Sequence, residues 1–323
     1  MKRKTGMIAL LLVAALLIPT TAVISEEKPV IGILQYVQHP ALDAAREGFI
    51  EGLKEEGFVD GENITIDYKN GQAAQDIVSS IADGFVADGV DLMLGIATPA
   101  VLALAGKTET IPILGTAVTD YVSAKLVESN EAPGFNVSGT TDMNPVADQI
   151  ALIKRLLPEA QTLGLLFTGS EINSQVQAEI AKTEAEKLGM KVEIVTVSNS
   201  NDVQQAAMSI LGKCDVLYVP TDNIIASSIA LVSAEALERK IPIAVGEEGM
   251  VMGGGTFTLG INYFNLGKQT GKMAAVLLRG EKMVSEMPIE SQTEFSYMLN
   301  KSFFEEIGLE VPEDLQPFLV TVE

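Results

Sequence analysis

From Val30 onward the chain alternates short apolar β runs with amphipathic helical stretches, and the pattern runs through twice. This alternation constrains the fold more than any other feature. Residues 30–34 read as a strand, and Leu42, Ala45, Phe49 and Leu53 share one face of a helix over 40–56 closed by Gly57. Strands at 64–68, 92–95, 113–115 and 137–139, a helix at 73–87, and a helix with Pro99 in its first turn complete a first set. The grammar restarts with a helix at 145–156. It continues through strand 162–167, helix 172–188, strand 192–197, helix 203–211, strand 216–219, helix 224–239 and strand 243–245. Such alternation builds parallel sheets covered on both faces, and two runs of it predict an α/β protein of two doubly wound parallel-sheet domains.

The last part departs from the pattern. A strand at 256–261, a helix at 265–279, a strand near 295–299 and a short helix at 302–307 follow a glycine-rich turn. Leu266, Met273, Ala274 and Leu277 give the helix at 265–279 an apolar face that could pack back onto the first domain. The expected division is 28–140 plus 262–286 for the first domain and 141–261 plus 287–300 for the second, with a C-terminal segment at 301–323. The chain then crosses three times, near 138–143, 260–263 and 287–290, and multiple crossings make a hinge that permits bending closure.

Lys2, Arg3 and Lys4 precede an apolar run from Met7 to Ile18, then Pro19 and the small residues Thr20, Thr21 and Ala22. This is the layout of a secretory signal over residues 1–22, too short to span a bilayer comfortably, with an uncleaved anchor as the alternative. The protein is therefore expected to be extracytoplasmic. The ~300 residues that remain suit two cores better than one. The chain carries 22 basic and 43 acidic residues, a formal charge of −21, and the leader accounts for three of the basic ones. Such a field repels nucleic acid and anionic membranes but hardly affects a zwitterion. With one histidine, His39, and one cysteine, Cys214, neither a disulfide framework nor a His/Cys zinc cluster can be built.

Tests for chemistry mostly fail. No glycine follows the first strand, so no dinucleotide fingerprint is present, and LGKQTG at Leu266 to Gly271 lacks the first glycine and the Ser/Thr of a phosphate loop. There is no G-x-S-x-G elbow and no H-E-x-x-H. Neither cofactor nor metal is expected, and the protein is not expected to be an enzyme. What remains is a ring of polar residues at strand ends, where α/β sheets meet ligands. The ring comprises Gln35, Tyr36, His39 and Asp43 after the first strand, Thr98 and Pro99 after the third, and Thr116 and Asp120 after the fourth. In the second half it comprises Thr168 and Ser170, then Thr221, Asp222 and Asn223, then Glu247. Thr98 and Asp222 also suit helix N-caps, and Glu247 a solvated loop.

The segments IGILQYVQHPALDAAREGFIEGL, VLYVPTDNIIASS and LGKQTGKMAAVLLRGEK resemble the ABC transporter substrate-binding proteins of the tryptophan/tyrosine-binding type, over Val30 to about Pro312. The resemblance implies the type I periplasmic-binding-protein fold and a monomeric receptor that hands a small solute to a membrane permease. A sensor coupled to a signalling partner is the alternative on the same fold. Within this frame an amino acid would place its carboxylate at Thr98 with help from Thr116. Its ammonium would go to Asp222, with Asp120 or Glu247 as alternatives, and Tyr36 would flank the side chain. His39 reads as a polar lining group or a helix-start residue rather than a catalyst.

Overall fold

The computed structural model describes residues 28–322, so the expected leader lies outside the described residues. The first sheet contains β1 (Val30–Gln35), β2 (Thr65–Asn70), β3 (Leu92–Ile96), β4 (Ile113–Val118) and β5 (Val137–Thr141) in the order β2-β1-β3-β4-β5. All pairs are parallel, and β11 (Glu290–Ser291) adds a parallel edge beside β5. β3 and β4 are buried at every residue, as expected of strands covered by helices on both faces. The covering helices are α1 (Pro40–Glu55), α2 (Gln75–Asp88), α3 (Thr98–Ala105) and α10 (Tyr263–Leu278).

The second sheet repeats the same order, β7-β6-β8-β9-β10, from β6 (Thr162–Thr168), β7 (Lys191–Val197), β8 (Val216–Val219), β9 (Ile243–Val245) and β10 (Phe257–Gly260). β12 (Ser296–Asn300) joins antiparallel to β10, and β13 (Leu319–Val320) pairs parallel with β12. Its helices are α4 (Val146–Leu156), α5 (Ile172–Lys187), α6 (Val203–Leu211), α7 (Asn223–Ala226), α8 (Ile229–Arg239), α9 (Glu248–Met252) and α11 (Lys301–Ile307).

Three details differ from the sequence reading. The helix expected over 224–239 is broken at Ser227 and Ser228. The Ser227 hydroxyl donates to the Ile224 carbonyl at 2.7 Å, one of the local bonds by which serine competes with helix continuation. The third crossing falls at 292–295 rather than 287–290, because Glu290 and Ser291 pair with β5 in the first sheet. Residues 301–322 are not a separate segment, since β13 extends the second sheet.

α1 and α10 make the closest helix contact in the protein. Gly48 and Gly52 on α1 face Gly267 and Gly271 on α10, so the backbones touch directly. A Cβ at Gly48 would strike the Phe264 carbonyl, and one at Gly52 the Lys268 carbonyl. One at Gly267 would strike the Ala45 carbonyl, and one at Gly271 the Phe49 carbonyl. Leu42, Phe49, Leu53, Leu266 and Met273 are buried around this seam, at about 2 kcal/mol each. Lys268 reaches Glu55 at 2.6 Å and Arg279 reaches Glu56 at 3.0 Å along its rim, but these half-exposed pairs add little. The stretch LGKQTG is therefore a packing surface, and its two glycines are there because backbone, not phosphate, comes close.

Gly267→Val should destabilise the protein by about 3 kcal/mol, because two helix backbones must separate to admit the side chain. Gly84 lies in α2 with nothing within 4 Å of an added Cβ, so Gly84→Ala should stabilise by about 0.5–1 kcal/mol. Urea unfolding of both variants measures the contrast.

Candidate ligand-binding cleft

In a sheet ordered 2-1-3-4-5, connections from the first and third strands leave in opposite directions and open a crevice at their carboxyl ends. Here that crevice occurs twice, between β1 and β3 in one lobe and between β6 and β8 in the other. The two crevices meet. Thr119 Oγ1 lies 3.3 Å from Thr221 Oγ1 across the lobes, and Gln177 donates to Thr119 at 3.3 Å. His39 Nε2 makes a longer contact of 3.5 Å with Asn223 Oδ1. His39, Leu42, Ala117 and Thr119 from the first lobe line one cavity with Thr221, Asn223, Ala226 and Glu247 from the second. Asp142 and Tyr263, at the first and second crossings, also line it.

On the first lobe, Ala97 follows β3 with φ of +82° and Ala117 sits at an irregularity within β4 with φ of +55°, backbone that costs a non-glycine residue about 1–3 kcal/mol each. The Ala97 N–H donates to the Thr116 carbonyl at 3.0 Å, tying these two turns together. Thr98 begins α3 between them. Its hydroxyl is buried with no hydrogen-bond partner, at a helix start where Pro99 has no N–H and the Ala100 N–H already donates to the Ala97 carbonyl at 3.0 Å.

His39 caps α1 with its backbone only. Burial pushes its pKa down to about 4, so the ring is neutral at physiological pH. Asn223 Nδ2 donates to Glu171 Oε2 at 2.6 Å, which leaves Asn223 Oδ1 as an acceptor facing the imidazole. His39 Nε2 therefore carries the proton and Nδ1 is a bare, buried acceptor.

Asp142, Asp222 and Glu247 line the cavity and Glu171 is buried beside Asp222, and among the described residues no lysine or arginine acts on any of the four. They fall into two groups. Asp142 accepts from Thr119 Oγ1 at 2.9 Å and from Tyr263 Oη at 2.6 Å. Glu247 caps α9, accepting from the Met250 N–H at 2.9 Å and from the Gly249 N–H. Burial, then the neighbouring charges of Glu248 and Asp142, push Glu247 up to about 8. In the other group, Asp222 caps α7 through Ile225 and also accepts from the Thr168 N–H, the Thr168 hydroxyl and the Ser174 hydroxyl, at 2.5–2.9 Å. Glu171 beside it is pushed up to about 8 by burial and by Asp222. Glu171 Oε2 accepts from Asn173 and Asn223, whereas Oε1 has no partner.

The residues proposed from sequence divide accordingly. His39, Thr221, Asp222, Asn223 and Glu247 line the cavity. Thr98 and Pro99 form the α3 start beside it. Tyr36 is buried near Glu171 and Asp222, whose charges, after burial, raise its phenol pKa. The others are engaged elsewhere. Gln35 donates to the Val37 carbonyl and to Asp43, fixing the loop after β1. Thr116 accepts from Thr140 in a buried threonine chain that runs on to Thr270 of α10. Asp120 accepts from Val122 and Ser123 within its own turn, and Ser170 is exposed. Thr168 spends its hydroxyl on Asp222. Asp222 itself has all four acceptor positions filled from its own lobe, which leaves none for the ammonium assigned to it. Asp142 and Asn173 are cavity residues that the sequence reading did not single out. Acidic and amide groups next to the first crossing and the α5 start were the only signal for them.

The ABC transporter substrate binding protein family matches residues 30–319. A tyrosine-binding protein of Clostridioides difficile is 42% identical over 286 residues, 88% of this chain and 83% of that protein. The ABC domain from Streptococcus pneumonia in complex with L-Trp superposes with a TM-score of 0.88 at 36% identity, over 92% of this chain and 100% of that one. A ligand-free, open substrate-binding protein with adhesive properties from Clostridium difficile is more similar in sequence, at 44%. It superposes less closely, with a TM-score of 0.70 over 91% of this chain and 100% of that one. In this structure the interlobe contacts close the cleft. Distant solute-binding proteins share the fold at TM-scores of 0.60 and 0.61. The chain belongs to the ABC transporter substrate-binding proteins and has the type I periplasmic-binding-protein fold.

Proposed function

We propose that the protein is the extracytoplasmic receptor of an ABC importer, binding one amino acid between its lobes as a monomer and presenting the closed form to a membrane permease. The observation that carries the reading is a cleft at two facing switch points lined by the buried carboxylates Asp142, Asp222 and Glu247, on which no lysine or arginine among the described residues acts. Buried anions need a positive partner, and a solute ammonium supplies it. An α-amino acid has its two charged groups on one carbon, so both must be met in one corner. Thr98 and the α3 start serve the carboxylate. Asp142 and Glu247, which share the cavity wall with Ala117 and Thr119, serve the ammonium. Leu42, Ala117 and Ala226 provide an apolar middle for the side chain. The tryptophan- and tyrosine-binding relatives favour an aromatic one.

Closure is then linked to protons. Glu247, which lines the closed cleft and responds to Asp142 there, is pushed up to about 8 against its ordinary 4.5, so an opening that exposes it releases a proton that the closed form holds. His39, at about 4 against 6.5, acts in reverse but only below 6.5. Between pH 6.5 and 8 Glu247 acts alone, so the closed form gains as pH falls and loses as pH rises. Without solute, small-angle scattering should show a smaller radius of gyration at pH 6.5 than at pH 8.5. An unchanged or reversed radius would contradict the linkage.

The protein contains no tryptophan, so added tryptophan can be followed by its own fluorescence. A saturable change is expected, with calorimetry extending the test to other amino acids. Glu247→Gln should weaken binding about 100-fold by removing the charge that pairs with the ammonium. If no amino acid binds, or if Glu247→Gln binds as tightly as the native protein, the reading fails.

A further inference from the structure

At the cleft end of the second sheet, β9 and β10 separate. β9 pairs with β8 through Ile243, Ala244 and Val245, but its registered pairing with β10 is confined to Ala244 opposite Phe257. Beyond that pair a side chain takes over from the backbone. Gln149 of α4 is 2% exposed, and its Nε2 donates to the Gly246 carbonyl at 3.2 Å and to the Leu259 carbonyl at 2.7 Å. Buried carbonyls need donors where a ladder ends, and this one amide supplies both. Carbonyls can only accept, so the nitrogen must face the two strands. The amide oxygen is held too, accepting from Tyr218 Oη at 2.6 Å, and Tyr218 is wholly buried in β8.

Gly246 is clamped by this arrangement. Its N–H donates to the Val219 carbonyl at 2.8 Å, and an added Cβ would come within 2.5 Å of the Thr221 nitrogen. The turn therefore lies on the Pro220–Thr221 backbone on one side and hangs from Gln149 on the other. Glu247 is the next residue, and it caps α9 and lines the cavity. Leu259 is one residue from the end of β10, where the chain runs into the second crossing. Gln149 thus ties the turn that carries Glu247 to the strand that leads to the hinge, from a place behind the cavity wall.

We propose that Gln149 is a positioning residue for solute recognition, setting where the Glu247 carboxylate stands in the cleft by holding the Gly246 turn against β10. The inference rests on the amino-acid reading, in which Glu247 meets the ammonium, and adds to it a residue that acts from outside the cleft. A binding group keeps its geometry only when the groups that support it are themselves fixed.

Gln149→Met keeps the length and bulk of the side chain and removes both donors. Binding is read with L-tryptophan by its own fluorescence, or by calorimetry with whichever other amino acid binds. Affinity should fall ~10-fold in Gln149→Met, but by less than about 2-fold when the same substitution is made in a Glu247→Gln protein. Action through Glu247 gives that difference, whereas a general loosening of the second lobe costs the same in both backgrounds. Equal losses in the two backgrounds, or no loss in either, would overturn the positioning role and leave the amino-acid reading standing. If no amino acid binds the native protein, or if Glu247→Gln binds as tightly, the amino-acid reading falls and this inference falls with it. Tyr218→Phe is a milder second variant, because it removes only the hydroxyl that orients the amide. It should show the same dependence on background with a loss of about 3-fold, so a poorly folded Gln149→Met does not blunt the test.

Discussion

The two-lobed arrangement depends on the contact between α1 and α10. After completing the second sheet the chain must return to the first, and it returns as a helix whose backbone lies directly on another. Four glycines, Gly48, Gly52, Gly267 and Gly271, permit an approach that no side chain would allow. Close packing of this kind is stiff, because any displacement lifts two backbones off each other. α10 therefore belongs rigidly to the first lobe, and motion is confined to the three crossings on either side of it. Asn144 ties the first two crossings together by accepting from the Ile261 N–H at 3.2 Å, and Gln292 ties the third to the second by donating to the Asn262 carbonyl at 3.1 Å.

Electrostatics completes what packing permits. A protein as acidic as this one tends to be pushed apart by its own charge, and the cleft concentrates that tendency in four buried carboxylates. Their acidities diverge from ordinary values because burial penalises charge, to which neighbouring anions add at Glu171 and Glu247. The arrangement is tolerable when closed only if protons or a cationic group take up the charge. Asp142 has a particular position in this respect. It stands at the first crossing, bonds Thr119 of the first lobe, and accepts from Tyr263 at the second crossing, so charge compensation inside the cleft is felt at the hinge itself.

Most of the architecture was legible in the sequence because hydrophobic period and punctuation act locally. The strands and helices of both doubly wound halves follow from alternating apolar runs, with ends displaced by a residue or two. The exceptions arise where long-range pairing decides the outcome. Two residues, Glu290 and Ser291, join the first sheet only because β5 offers an edge, and residues 301–322 join the second because β12 does. The cleft was legible as a set of strand ends but not as a set of roles. Polar residues there looked equivalent, and only hydrogen-bond accounting separates Asp222, whose oxygens are filled, from Glu171, which has one free. LGKQTG could be rejected as a phosphate loop from sequence, but its actual use required knowing that α1 carries glycines at the matching spacing.

α1 connects these two levels. Its glycine face grips α10 and so anchors the lobe on which the hinge turns. Its first residues point the other way, into the cleft, where an added Cβ on Gly249 of α9 would come within 2.9 Å of the Ala41 nitrogen and 3.2 Å of Pro40 Cβ. Closure thus brings the start of α1 against the start of α9, where only a glycine fits, and places His39 opposite Asn223. α1 is one unbroken helix from His39 at the cleft to the α10 seam, and α10 in turn begins at Tyr263 at the second crossing. Recognition at the cleft and bending at the hinge are therefore joined by one rigid element, and its glycine spacing is what makes it rigid.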